Sequence, residues 1–191
     1  MNNSDLEVLE HVENWLANGH QVEWVTLVRC WGSAPRPVGS MAAIRGDGAI
    51  IGSVSGGCIE KELTEVHHKE SEVGVIQRHI SSEEAIRFGL PCGGALELVF
   101  ERQIDKDQID ELISVLRDRK QVCRSLELSS GTTLLEPVTK GQEFEFDGRT
   151  MRKVFGPAWR LLLIGAGELS RYVAEIGLAL DYDVLVCEPR E

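Results

Sequence analysis

The stretch that most limits what this chain can fold into lies near its end. Arg160–Ile164 is a short apolar run that reads as a buried strand, followed by Gly165-Ala166-Gly167-Glu168-Leu169-Ser170. Val173, Ile176 and Leu180 then fall on one helical face, and Asp183–Cys187 is a second apolar run that ends at Glu188. Strand, glycine turn, helix and strand in that order close as a βαβ unit with parallel strands, because the helix returns the chain to the edge where the first strand began. The turn has the form G-x-G-x-x-S, with an acidic residue about 20 positions on, where a ribose-binding carboxylate is expected. Gly165 and Gly167 are therefore candidates for a nucleotide site. The glycines alone would carry little weight; their strand–turn–helix–strand setting carries more. Two parallel strands and one helix cannot cover both faces of a sheet, so residues 156–191 are expected to be the start of a Rossmann-like domain.

The second constraint is Gly52-Ser53-Val54-Ser55-Gly56-Gly57-Cys58-Ile59-Glu60-Lys61-Glu62. It reads as a strand end, a Gly/Ser loop and the first turn of a helix whose apolar face is Ile59, Leu63 and Val66. Backbone amides at such a place can turn outward, and a helix start adds partial positive charge, so the expectation is an anion site, phosphate above all. Ser53, Ser55, Gly56 and Gly57 would form it. Cys58, in the same first turn, would have a lowered thiol pKa. The competing reading is a tight turn of small residues with Cys58 packed as a small hydrophobe.

The chain leading to this loop is well punctuated. Ser4 and Glu7 make a capping-box pattern ahead of a Leu9, Val12, Leu16 stripe, and Asn18-Gly19 closes that helix. A strand follows from Val22 to Cys30, and then a loop in which Arg36 stands between Pro35 and Pro37. Proline on both sides restricts the backbone, and a guanidinium held this way suits a bidentate grip on phosphate. A solvated arginine on a surface turn is the plainer alternative. Residues 41–45 and 49–52 flank Gly46-Asp47-Gly48 as a hairpin. Downstream, Pro91-Cys92-Gly93-Gly94 repeats the cysteine-and-paired-glycine logic just before a strand at 95–101, which makes Cys92, Gly93 and Gly94 candidates for the same ligand. His67-His68 has no supporting ligand at helical spacing, so a zinc site is given little weight. Residues 109–116 form a periodic helix, and strands are expected at 121–128 and 132–137, with a short hairpin around Asp147-Gly148.

A net charge of -11 argues against nucleic acid or an anionic membrane as the main partner. Five widely spaced cysteines, at 30, 58, 92, 123 and 187, do not form a secreted disulfide framework, and the expected location is the cytoplasm with thiols reduced. Cys30, Cys123 and Cys187 lie in or beside apolar runs, where a thiol is expected to be buried and inert.

Residues 32–41, residues 47–60, and Pro91-Cys92-Gly93-Gly94 with Leu96-Glu97 together resemble the XdhC/CoxI family, accessory proteins of molybdenum hydroxylases such as xanthine dehydrogenase and CO dehydrogenase. The resemblance runs over nearly the whole chain. It implies binding of molybdenum cofactor of the molybdopterin type, a pterin dithiolene with a terminal phosphate. It also implies support of the cofactor's sulfuration and handover to a molybdenum hydroxylase apo-enzyme. A cysteine desulfurase and a second copy of the chain, as a homodimer, are the further partners considered. The fold implied is α/β: a mixed α/β XdhC-type domain over residues 1–155, then the Rossmann-like start over 156–191. Glu168 stands where the family often has histidine, and an acid beside an expected anion site speaks against phosphate there. With Gly, Ser, Cys and Arg at the motif positions and no histidine among them, a cofactor chaperone is expected rather than a turnover enzyme. The alternatives are a nucleotide-dependent oxidoreductase and a thiol redox protein using Cys58 and Cys92.

Overall fold

The computed structural model describes residues 4–32, 36–57, 59–65, 72–87, 93–157, 159–180 and 182–190. It is a mixed α/β structure, as the sequence predicts. Its centre is a five-stranded antiparallel sheet of β1 (Val22–Gly32), β2 (Met41–Arg45), β3 (Ile50–Gly52), β4 (Val73–Ile80) and β5 (Gly94–Glu101), in the order β3-β2-β1-β5-β4. The β2–β3 hairpin turns at the Gly46-Asp47-Gly48 signal, where Asp47 accepts from the Ala49 amide at 3.2 Å and from Arg45 at 2.8 Å.

Alternation along the strands gives the sheet two buried faces. On one, Trp24, Met41 and Ala43 meet α1 (Ser4–Ala17) and α4 (Lys106–Arg117), two helices packed against each other. The stripe residues Leu9, Val12, Ile109, Leu112, Ile113 and Leu116 all lie in this cluster, each fully buried side chain contributing about 1.5–3 kcal/mol. α4 starts where Asp105 accepts from the Asp107 and Gln108 amides, a side-chain N-cap. The same face carries a second, four-stranded antiparallel sheet, ordered β7-β6-β9-β8, made of β6 (Val122–Glu127), β7 (Thr133–Glu136), β8 (Glu145–Phe146) and β9 (Thr150–Phe155). Arg124 ties the sheets together through a buried two-point pair with Glu101, at 2.6 and 3.0 Å. The other face, with Val25, Leu27, Ala42, Leu96 and Leu98, is covered by Val54, Ile59 and Leu63 from the Gly/Ser loop and α2 (Glu60–Glu65).

Two differences from the sequence reading concern elements. α3 (Ser82–Arg87) was not expected, and β9 runs to Phe155 as the central partner of β6 rather than ending as a short hairpin arm. The βαβ unit is present: β10 (Arg160–Ile164) and β11 (Asp183–Cys187) are parallel, joined by α5 (Glu168–Ala179). β10 is not a buried strand, however. Leu162 and Ile164 are exposed, because α5 lies on one face of the pair and no described residue covers the other.

Candidate functional site

The sheet registers send the three motif loops in one direction, but from different levels of the five-stranded sheet. Gly32 ends β1 opposite Gly94, the first residue of β5, and Ile80 ends β4 opposite the same glycine. Gly52 ends β3 opposite Ala42, next to the start of β2. The Gly93-Gly94 segment therefore lies at the far end of β1, the Ser53–Gly57 segment leaves in the same direction from the level of Val25, seven residues further back, and Arg36 lies on the chain between Gly32 and Met41. Residues 33–35, Cys58 and residues 88–92, which include Cys92, lie outside the described residues.

The strand packing itself requires glycine at this end. A Cβ on Gly32, whose φ is +85°, would sit 2.8 Å from the Gly93 carbonyl oxygen, and one on Gly94 would strike the Trp31 carbonyl. Part of the Cys-Gly-Gly signal is thus explained by β1 and β5 approaching closely, without any ligand. Gly57 is different. It is exposed, its φ is +101°, and apart from its chain neighbours no described residue has an atom within 4 Å of where a Cβ would be.

The Gly/Ser loop has an occupant that the sequence reading did not foresee. Glu60, only 8% exposed, folds its carboxylate back into the loop. Its Oε1 accepts from Ser53 Oγ at 2.7 Å, the Val54 amide at 3.0 Å and the Ser55 amide at 2.9 Å, and its Oε2 accepts from Ser55 Oγ. The Gly56 amide donates to Ser53 Oγ at 2.8 Å and the Ile59 amide to Ser55 Oγ at 3.1 Å. Burial pushes the Glu60 carboxyl up, but the hydrogen bonds from Ser55 and Ser53 outweigh it and hold the group below the usual carboxylate range. The amides expected to turn outward at Val54 and Ser55 instead face an internal anion. The helix α2 begins at Glu60. No capping-box spacing marks Glu60 in the sequence, since Ser53 and Ser55 stand seven and five residues before it rather than three.

Arg36 is half-buried, and its Nε is fully enclosed with no hydrogen-bond partner among the described residues. Enclosing a guanidinium N–H without an acceptor is costly, so this atom is one observed feature that calls for an anion from outside. The base of its loop is firmly held. The Gly39 amide donates to the Leu27 carbonyl at 2.7 Å, and the Leu27 amide to the Ser40 carbonyl at 2.9 Å, beside the bulge between Leu27 and Arg29. Lys153, 8% exposed, donates to the Gly39 carbonyl at 2.6 Å and pairs with Asp5 at 2.9 Å. Nothing in the local sequence marked Lys153, since its partner loop is 114 residues away. Gly39 also lies against the Phe144 ring. The Arg36 loop therefore leans toward the second sheet, whereas the Ser53–Glu60 loop covers the opposite face.

At the βαβ turn, Gly165 takes a φ of +100° and its amide donates to the Cys187 carbonyl. Gly167 is the N-cap of α5, with no side-chain cap. Glu188, the acid expected to take ribose hydroxyls, accepts from the Ala166 amide at 2.8 Å and from Arg190 Nε and Nη2, both at 2.9 Å. The Arg190 guanidinium first, then the Ala166 amide, hold it down to about 2.

The three described cysteines differ from one another. Cys123 is buried, with its thiol pushed up by burial, and Cys30 is partly buried. Cys187 is exposed, contrary to expectation, because it ends a strand whose outer face is uncovered. Among the described residues no group of three histidines, cysteines or acids could hold a metal ion, and no helix is long and apolar enough to cross a membrane. A cleft of about 580 Å³ lies at the other end of the sheet, lined by His20, Glu23, Arg45, Gly46, Leu63 and Arg102 among others. Both of its arginines are already paired, Arg45 with Asp47 and Arg102 with Glu23. It includes Gly48 of the motif runs but none of Arg36, Ser53–Gly57, Gly93 or Gly94.

Residues 15–69 match the model of the XdhC and CoxI family. Over 185 residues, 92% of this chain and 55% of the relative, the chain is 25% identical to the molybdenum cofactor insertion chaperone PaoD of Escherichia coli (strain K12). It thus spans about half the length of that curated relative. A crystal structure described as a xanthine dehydrogenase from Bacillus halodurans shares the fold, with a TM-score of 0.68 at 20% identity over 96% of this chain and 62% of that one.

Proposed function

By its match over residues 15–69 the chain is an XdhC/CoxI-family protein, and from that premise we propose that it binds molybdenum cofactor and helps deliver it to a molybdoenzyme. The finer reading is that it supports sulfuration of the cofactor, with a cysteine desulfurase as sulfur source, and serves a molybdenum hydroxylase of the xanthine dehydrogenase type. The observation that carries the reading is Arg36. Its enclosed Nε, with no partner among the described residues, sits on the connection between β1 and β2, fixed at its base by Leu27 and Lys153. The cofactor's terminal phosphate supplies the acceptor that Arg36 lacks, and a planar guanidinium suits it. Gly56, Gly57, Gly93 and Gly94 are assigned to the surrounding surface, Ser53 and the buried Ser55 hold that turn from beneath through Glu60, and Cys58 and Cys92 are the soft donors assigned to the dithiolene end. The cofactor brings the redox-active metal; this chain binds and orients it.

A nucleotide at Gly165 and Gly167 is less well supported, because it would have to displace Arg190 and the Ala166 amide from Glu188. A homodimer enters the reading only as a way to hold two target subunits.

Titration of the full chain with molybdenum cofactor, followed by pterin fluorescence, tests the reading. Arg36→Ala should weaken binding by roughly 1.5–3 kcal/mol, the scale of a hydrogen bond to a charged group, with the unfolding midpoint unchanged. Unchanged affinity would reduce Arg36 to a surface residue. A nicotinamide or flavin spectrum in the purified protein would favour the oxidoreductase instead.

A further inference from the structure

We infer that Trp31, Ala95 and His79, side by side on the five-stranded sheet, form a slot for one planar heteroaromatic ring, and that Glu97 at its inner end takes N–H donors on that ring's edge. Under the proposed function that ring is the cofactor's pterin, and the inference rests on that reading. The strand register brings the residues together. Ala95 of β5 stands opposite Trp31 of β1 on one side and opposite His79 of β4 on the other. Two residues further along β5, Glu97 stands opposite Arg29 and Gln77. Leu96, Cys30, Ile76 and Ile80 pack into the cluster beneath α2. By alternation both rows therefore lie on the other face of the sheet, where Arg29 meets Phe146 of β8.

The cover on that face runs out along the strands. Val99 is 0% exposed and Glu97 7%, whereas Trp31 is 48% exposed and His79 is exposed as well. Trp31 and His79 stand two strands apart, about 9–10 Å, with side chains roughly perpendicular to the sheet. Ala95 between them adds only a methyl group. A ring stacked on both neighbours needs about 3.5 Å on each side, about 7 Å in all, so the slot has room for one ring and not for two. Indole and imidazole both favour a flat aromatic partner. From Ala95 to Glu97 along the strand is about 7 Å, the length of a fused two-ring system. The Glu97 carboxylate accepts from Arg29 Nη1 at 2.9 Å and from Gln77 Nε2 at 3.1 Å, which leaves about two of its four lone-pair sites. Paired with a guanidinium, it accepts and does not donate, so the ring edge that suits it carries an amino group or ring N–H. Arg29, 4.8 Å over the Phe146 ring and bonded to the Phe146 carbonyl, holds the carboxylate in place.

The test is titration of the full chain with free pterin, which carries neither phosphate nor dithiolene, followed by quenching of its fluorescence. Trp31→Ala and His79→Ala, both at exposed positions, should each weaken pterin binding about tenfold, the scale of losing one aromatic stacking partner, with the unfolding midpoint unchanged. Lumazine, which has a carbonyl where pterin has its amino group, measures the edge contact. The wild type should prefer pterin, and Glu97→Gln, which keeps the shape but loses the charge, should lose most of that preference. Should Glu97→Gln not fold, the wild type alone decides, since equal affinity for the two rings overturns the role of Glu97. Unchanged pterin affinity in both Trp31→Ala and His79→Ala overturns the slot. So does the absence of pterin quenching by a chain that binds the complete cofactor, an outcome that leaves the proposed function standing. A chain that binds free pterin through Trp31 and His79 but not the complete cofactor keeps the slot and removes the proposed function instead.

Discussion

The chain has two glycine-rich turns that look alike in sequence and that solve the same problem with different security. Residues 52–60 and residues 164–168 each follow a strand, each precede a helix, and each expose backbone amides that must find acceptors. In both, an acid from the chain itself supplies one: Glu60 for Val54 and Ser55, and Glu188 for Ala166. The first carboxylate is buried, and its described partners are neutral hydroxyls and amides. The second is at the surface and leans on Arg190. A glycine-rich turn after a strand is therefore not by itself an open phosphate site; whether a nearby acid folds back decides it. The difference in burial also means that the first turn is part of the core and the second is not.

The sharpest way to break that comparison is to remove each acid. Glu60→Ala leaves several enclosed donors without an acceptor and should cost about 3 kcal/mol of unfolding free energy, read by urea denaturation. Glu188→Ala should leave the midpoint unmoved, because its partners are solvated and can turn to water. Equal losses at the two sites would show that burial is not what separates them. A glycine pair sharpens the same point. Gly52→Ala puts a Cβ 2.5 Å from the Met41 carbonyl oxygen and 2.7 Å from Val8 at a φ of +79°, and should cost about 2–3 kcal/mol through overpacking and backbone strain. Gly57→Ala has strain but open space, so its cost should be nearer 1 kcal/mol.

Much of this was legible in the sequence. The stripes of α1 and α4, the Asp-Gly hairpins and the βαβ order rest on local periodicity and turn chemistry, and each of those elements is present. What was not legible depends on contacts across the chain. Lys153 and the Arg36 loop meet only because β9 pairs with β6 over the face of the first sheet. The glycines at 32 and 94 look like ligand contacts until the β1–β5 register shows them facing each other. Leu162 and Ile164 read as buried because they are apolar, but a two-stranded sheet with one helix has only one covered face. Glu60 was missed although it is local, since it was read only as part of the first turn of a helix, with no partner in the loop before it.

The boundary between the two turns gives a smaller effect. We propose that residues 1–155 form a unit that folds without 156–191. The described link across that boundary includes the Gln121 side chain donating to the Pro157 carbonyl at 2.8 Å, worth about 1 kcal/mol. The shortened chain should still unfold cooperatively, with a midpoint lowered by no more than that bond explains. A broad, non-cooperative transition would mean that the first turn's security depends on the second region.

The smallest effect is in the response to pH and salt, and it separates the two carboxylates by mechanism. Each has a folded-state pKa below its unfolded value of about 4.3, so each contributes stability that is fully present above that pH and is lost as pH falls through the folded value. For Glu188 the window reaches down to about 2. Its shift comes first from the Arg190 guanidinium, an exposed pair, and at 1 M salt, where the screening length is about 3 Å, that contribution should fade. For Glu60 the downward pull comes from the serine hydroxyls and the Ser55 amide, which are neutral and buried, and salt has little hold on them. Unfolding of Glu60→Gln and Glu188→Gln alongside the wild type, from pH 6 to pH 3 at low and high salt, distinguishes the two. The wild-type advantage over Glu60→Gln should narrow as the pH falls and be the same at both salt levels. The much smaller advantage over Glu188→Gln should be visible only at low salt. If salt removes the Glu60 advantage as well, that carboxylate is held by a cation, and the loop around it is not the buried, neutral set of donors described above.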